Sequence, residues 1–426
     1  MVDSFVNHYL MMLNKYAEFL LQILHRDPAR PNPGTLALFT PEEWDALIEE
    51  ASRYRLDFQL REYLQAHPDL DARVPAAGLQ RLDDRLRKTK TYNFCKQIQL
   101  EEMLSACATA GIPCLVMKGL WLVEIIYLDL QARHSGDIDL LLRPEDMPAF
   151  TRLTQRLGFQ VPSDIDDIRD ITAANNQFPL VHPGSGTSFD LHWSLTLPLE
   201  EAPVDDPSFW DRSETLILAA QPCRTLGLED HLLLVCFHAS LHHQFQDVGP
   251  RALVDIARVI AQPPRAIDWE DFVTRAHDLG WSRGTWLILD LVREHLGVQP
   301  PAGVLERLRP DKADDPAIRQ AALATMFEQP GGGPAFGGHE VRLMSAGTRR
   351  EALAILLGRL FPPRCYVASY FGVKLDDPGL PWLYVKRWGM LLKRVMPGLW
   401  QLWGGDAARR AKLERAATIA DWLRQP

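Results

Sequence analysis

Apolar residues recur at helical spacing along most of this chain, and one central stretch breaks the pattern by gathering them into short runs. Thr40-Pro41-Glu42-Glu43 opens a helix, with a Thr cap, Pro at the first helical position and acids at the positive end of the dipole. Trp44, Leu47 and Ile48 continue its apolar stripe. A long helical pattern covers about 79–110. After Gly111 the texture changes. Residues 112–117 read as a strand, 120–128 as a helix and 136–142 as a second strand. Pro144-Glu145-Asp146 starts a helix that ends near Gly158. Residues 177–182 and 187–193 read as two further strands, joined by the turn Pro183-Gly184-Ser185-Gly186. Beyond Pro198 the pattern is helical again. A small α/β unit is therefore expected at 95–198. It sits between helical regions at 1–94 and 199–328, with a Gly/Pro-rich loop at 329–340 and a helical region at 341–426.

Composition narrows the class. The chain has 426 residues, 46% hydrophobic and 24% charged, as expected for a globular protein of two or three domains. A net charge of −9 argues against general nucleic-acid binding, which calls for a basic domain. No apolar run reaches the ~18 residues of a membrane span. The N-terminus carries Asp3, Lys15 and Glu18 and lacks a basic start with a small-residue cleavage site, so it reads as an amphipathic helix. The six cysteines show no CxxC spacing, which fits reduced, buried thiols and a cytoplasmic location. The segment 381–426 holds nine Lys/Arg against three Asp/Glu, and five tryptophans. It reads first as a helical pair packing its tryptophans inward, and second as a basic helix able to touch an anionic membrane surface.

The chemistry concentrates at Ser135-Gly136-Asp137-Ile138-Asp139-Leu140-Leu141-Leu142. In a strand, residues i and i+2 share a face, so Asp137 and Asp139 are expected to project together. Asp is disfavoured in strands, and two adjacent anions repel unless a cation lies between them, so the pair is a candidate Mg²⁺ site, with Mn²⁺ as a substitute. Phosphoryl and nucleotidyl transfer need positioning and charge neutralisation more than covalent help. A third carboxylate stands at Asp190 in Ser188-Phe189-Asp190-Leu191-His192-Trp193, where Asp190 and His192 share a face. If the two strands are neighbours, three carboxylates converge. Met117-Lys118-Gly119-Leu120 lies at a strand-to-helix junction, where glycine lets backbone approach phosphate oxygens and Lys118 adds a point charge. Arg133, four residues before Asp137, is a candidate phosphate contact.

The ordered set "CLVMKG", "RHSGDIDLLL" and "FDLHW" resembles the nucleotidyltransferase superfamily that includes DNA polymerase beta. It is most similar to a bacterial nucleotidyltransferase family with a Lys-Gly strand end, an Arg before D-I-D, and a later Asp-x-His strand. The likeness extends over roughly 40–300. One departure is that Leu, not Ser, follows Gly119, and Asp137 lies eighteen positions beyond it. The resemblance implies an α+β fold, with a small mixed-sheet nucleotidyltransferase core flanked by predominantly helical N- and C-terminal regions. It implies a Mg²⁺-dependent enzyme that moves an NMP from an NTP to an unidentified protein or small-molecule acceptor and releases pyrophosphate. Asp137, Asp139 and Asp190 are then the catalytic, metal-holding residues. Lys118, Gly119, Arg133, Ser135 and Gly136 are expected to bind the nucleotide and its phosphates, and His192 to stand behind the metal or meet the acceptor.

His238 and His242 have i, i+4 spacing without an HExxH pattern. They read as structural histidines within possible reach of the nucleotide. Asp255, in an apolar helix, is expected to hydrogen-bond one of them or cap a local network. Two other functions fit a D-x-D motif. A metal-dependent glycosyltransferase would need a larger nucleotide-binding α/β domain than the helical flanks leave room for. A catalytically inactive nucleotide-binding or scaffold protein would bind NTP without turnover.

Overall fold

The computed structural model describes residues 14–26, 36–159, 177–182, 184, 186–195, 207–311, 316–328, 377–403 and 407–425, with scattered positions between 350 and 373. The start of the expected N-terminal helix, positions 183 and 185 of the expected turn, and the 329–340 loop lie outside the described residues.

The chain divides into two compact units. The first is Met1–Glu101, Met117–Ile138 and Arg212–Gln329; the second is Glu102–Val116, Asp139–Asp211 and Pro330–Pro426. One mixed sheet holds six strands: β1 (Leu115–Met117), β2 (Ile138–Leu141), β3 (Gln177–Val181), β4 (Ser188–His192), β5 (Glu214–Leu218) and β6 (Gln221–Thr225). Their order is β3-β4-β2-β1-β6-β5. β3 pairs antiparallel with β4, placing Pro179 opposite Asp190. Proline is tolerated there because β3 is an edge strand.

The helices follow their local signals. Thr40 closes a capping box at the start of Pro41–Arg53: its Oγ1 accepts from the Glu43 N–H at 3.3 Å, and its own N–H reaches Glu43 Oε2 at 2.9 Å. Helix α1 (Ala76–Ala110) ends at Gly111, whose φ is +68°. The Gly111 N–H bonds Ala108 O and the Ile112 N–H bonds Cys107 O, the paired bonds of a left-handed glycine cap. In the first unit, Ser282–Leu296 buries Leu287, Ile288, Leu289 and Leu291 completely, as a helix does when it is surrounded by others. Leu228–Phe237 is buried along its whole length. Asp230 within it is held by Arg212 at 3.0 Å and Arg275 at 3.1 Å, so the buried charge is paired. Helix α2 (Arg251–Ala261) lies in the same unit. The second unit contains Met147–Arg156, and α3 (Leu380–Trp403) packed with α4 (Ala407–Arg424).

Three local readings change. β5 and β6 form a hairpin in a stretch read as helical. Their turn residues Ala219 and Ala220 have φ of 49° and 58°, the hairpin conformation that Asn-Gly ordinarily signals and Ala-Ala does not. The 120–128 helix is one α-turn, Gly119–Trp121, followed by a π-helix, Leu122–Tyr127. The strand expected at 136–142 is Ile138–Leu141, so Asp137 precedes it and the same-face argument for Asp137 and Asp139 does not apply. The backbone before Ile138 is engaged by side chains. Lys96 Nζ and Tyr92 Oη donate to Gly136 O, and Ser135 Oγ donates to Asp137 O at 3.2 Å. Among the described cysteines, Cys107, Cys114, Cys223 and Cys236 are buried thiols outside any disulfide, while the Cys95 thiol is exposed.

Candidate active site

In the second unit, β2 and β4 lie side by side, and the Leu142 N–H donates to His192 O at 2.8 Å. This pairing brings together Asp139, Asp190 and His192, each offering one ligand atom within 4.8 Å of the others. Asp139 and His192 are buried and Asp190 is half-buried. His192 Nε2 donates to Asp139 Oδ1 at 3.0 Å. A buried carboxylate must be paired, and this bond both satisfies Asp139 and fixes its orientation. The donor set fits a divalent cation. Two carboxylates provide the oxygen ligands that Mg²⁺ and Mn²⁺ prefer, and the imidazole braces one of them. Asp137 is not a member of this group.

The first unit carries Asp137 with the expected phosphate-binding residues. Lys118 has φ 47° and ψ −110°, a region that side chains other than glycine's seldom occupy. Such strain persists only where surrounding structure enforces it. Here the next residue is locked in place. A Cβ on Gly119 would lie 2.5 Å from Ser135 Oγ and 3.2 Å from Asp137 O. The glycine therefore permits close backbone approach, but to the Ser135–Asp137 segment.

Arg133 is buried. Its guanidinium meets Asp255 through Nε–Oδ1 at 2.9 Å and Nη2–Oδ2 at 3.0 Å, and its Nη1 donates to Gly119 O at 3.3 Å. Tyr127 Oη also donates to Asp255, at 2.8 Å. Asp255 thus meets an arginine and a tyrosine, where the sequence pattern had given it to His238, His242 or a local cap. Asn93 completes the loop scaffold. Its side-chain NH₂ donates to Leu130 O and Arg133 O, both at 2.7 Å, and its Oδ1 accepts from the Ser135 N–H. Ser135 is fully buried and Gly136 is exposed.

His238 and His242 lie on a π-helix, with ring centroids 5.6 Å apart. His243, which spacing alone passed over, stands 4.4 Å from His238 and 5.0 Å from His242. It is also electrostatically linked to the site. Burial pushes its pKa down, the Lys118 charge pushes the same way, and Asp247 and Asp137 oppose them. The π-turn displaces His243 from the place an α-helix would give it. Asn93, Lys96 and Tyr92 were likewise invisible to motif reading, because each acts through a backbone carbonyl or N–H, and Asp255 showed its presence but not its partner, a distant arginine.

A family model described as "Uncharacterised nucleotidyltransferase" matches residues 40–297, more than half of the chain. No curated protein matches it. Two solved structures are similar. A crystal structure of ANT(2")-Ia in complex with adenylyl-2"-tobramycin is 14% identical, covering 43% of this chain and 97% of that one, with a TM-score of 0.31. A solution structure of the antibiotic-resistance factor ANT(2'')-Ia is 15% identical, covering 43% and 96%, with a TM-score of 0.30.

Proposed function

The chain belongs to the uncharacterised nucleotidyltransferase family, and from that premise we propose that it moves an NMP from an NTP to a protein or small-molecule acceptor, releasing pyrophosphate. The observation that carries the proposal is the convergence of Asp139, Asp190 and His192 on adjacent strands, with Asp139 closely following Asp137 in the chain.

Asp139 and Asp190, with Asp137, would hold divalent ions, Mg²⁺ or Mn²⁺, which would supply charge neutralisation for the triphosphate and activation of the attacking oxygen. His192 keeps the Asp139 carboxylate aimed. Asp190, the more exposed of the two strand carboxylates, meets the acceptor hydroxyl and accepts its proton. Lys118 steadies the triphosphate as a point charge. Arg133 serves the same end by holding the Gly119 carbonyl, and so the turn that presents Lys118. Ser135 and Gly136 shape the backbone before Asp137.

The test is incorporation from α-labelled ATP, CTP, GTP or UTP into cell extract, with pyrophosphate followed in parallel. Wild type should label an acceptor that the Asp137→Ala/Asp139→Ala and Asp190→Ala proteins do not. Equal labelling by all three sinks the assignment. Nucleotide binding without pyrophosphate release would favour a binding module, and release of UDP or GDP from a nucleotide-sugar would favour a glycosyltransferase.

A further inference from the structure

Helix α3 has two unlike faces. At 3.6 residues per turn, Trp382, Val385, Lys386, Gly389 and Met390 fall within about 140° of arc. All five are exposed: Trp382 at 69%, Val385 and Met390 at 43% each. The other face is anchored. Leu380 is buried, Tyr384 Oη donates to Pro362 O at 2.7 Å, Trp388 Nε1 donates to Leu360 O at 2.6 Å, and Arg387 is buried. Phe361, 57% exposed, packs its ring on Trp388 with centroids 5.3 Å apart and adds apolar surface beside the helix. A large exposed apolar strip needs an occupant.

Charge says which one. The segment 381–426 carries +6 in a chain of net −9, so the rest of the molecule carries −15. A second copy seated symmetrically, strip on strip, would set like charge against like. An anionic lipid surface satisfies both features: Trp382, Val385 and Met390 enter the headgroup boundary, and Lys386 on the same face meets lipid phosphates, in a helix that carries four Lys/Arg and no Asp/Glu. No helix among the described residues is long and apolar enough to cross a membrane, so the contact is peripheral. We infer that the exposed face of α3 docks this protein on anionic lipid bilayers. Trp422 is buried on α4, so the helical pair packs one tryptophan inward and presents another outward.

The test is flotation of the full-length protein with phosphatidylcholine vesicles and with vesicles containing about one-third phosphatidylglycerol. The anionic vesicles should carry at least fivefold more protein, and 0.5 M salt should remove most of the difference. Trp382→Ser/Val385→Ser and Lys386→Glu should each cut the bound fraction severalfold while the melting temperature stays at the wild-type value. If a variant melts early, Met390→Ser replaces it. Equal recovery on neutral and anionic vesicles, or unchanged binding by the variants, overturns the assignment. A concentration-dependent dimer lost in the Trp382 variant, or salt-sensitive binding to duplex DNA without vesicle binding, overturns it equally.

Discussion

The carboxylate of Asp255 clamps the guanidinium of Arg133 through two parallel hydrogen bonds, 2.9 and 3.0 Å long, in the buried interior of the first unit. One helical turn earlier on α2, Arg251 donates to His134 O at 2.7 Å. Two residues on one face of α2 therefore hold successive residues of the loop leading to Asp137. Removing one partner of a buried ion pair strands the other charge, which typically costs about 3–5 kcal/mol. Asp255→Ala should lower the unfolding free energy, read from urea denaturation, by an amount in that range. Asp255→Glu, which keeps the charge, should recover part of it. A destabilisation below about 1 kcal/mol would mean that water or another group pairs with Arg133 once Asp255 is gone.

Gly119 makes a second, local prediction. The Cβ of Gly119→Ala would meet Ser135 Oγ at 2.5 Å, closer than real contacts allow, and Asp137 O at 3.2 Å. The strain falls on the Lys118 turn and on the carbonyl of the proposed metal ligand, so incorporation should fall by at least tenfold in a folded protein. Removing the Oγ leaves only the Asp137 carbonyl and the Ser135 Cβ, at 3.6 Å. Gly119→Ala/Ser135→Ala should therefore regain part of the activity. A double variant no better than the single would place the fault elsewhere than in this contact.

The parts of the fold that sequence revealed are those governed by neighbours in the chain. The Thr40 cap, the end of the long helix before Gly111 and the D-I-D and D-L-H strands depend on residues a few positions apart. The pairing of Asp190 with the Asp139 strand was reachable because both lie on short alternating runs. The Ala219-Ala220 hairpin was hidden because neither residue advertises a positive φ. The Lys96, Asn93 and Asp255 contacts span 37 to 128 positions of chain, and their partners are mostly backbone groups. No spacing rule encodes those. The π-turn at His238–His242 shifts the helical register, and His243, which the i, i+4 spacing passed over, feels the charges of Lys118 and Asp137.

Acid should weaken the fold through His231. Its ring is fully buried and stacked on Trp121 at 3.8 Å, with Nδ1 donating to Leu226 O at 3.1 Å and Nε2 lacking a partner. Burial drives its pKa down to about 3. The folded state thus keeps the ring neutral, while the unfolded chain protonates it near the ordinary value of ~6.5. The stabilising contribution is complete above that value and is lost as pH falls toward 3. The loss is about 1.4 kcal/mol for each pH unit well below 6.5. Unfolding free energies from urea denaturation between pH 7.5 and 5 should show this slope below 6.5 in wild type. His231→Phe, which keeps a ring against Trp121, should show a shallower one. Identical slopes would assign the acid sensitivity to other groups.

His192 separates metal bracing from acceptor contact. Its bond to Asp139 Oδ1, 3.0 Å long and buried, aims the carboxylate. Partners that orient a metal ligand typically change metal affinity by about 10–100-fold when removed. For His192→Ala, the Mg²⁺ concentration giving half-maximal incorporation should rise by a factor in that range, while the rate at saturating Mg²⁺ stays close to wild type. His192→Gln, able to donate one hydrogen bond, should lie between the two. Asp139→Asn should be inactive at every Mg²⁺ concentration, and EDTA should abolish incorporation by wild type until Mg²⁺ or Mn²⁺ is restored. If His192→Ala instead lowers the saturated rate and leaves the Mg²⁺ requirement unchanged, the imidazole serves the acceptor, and Asp139 holds its orientation by other means.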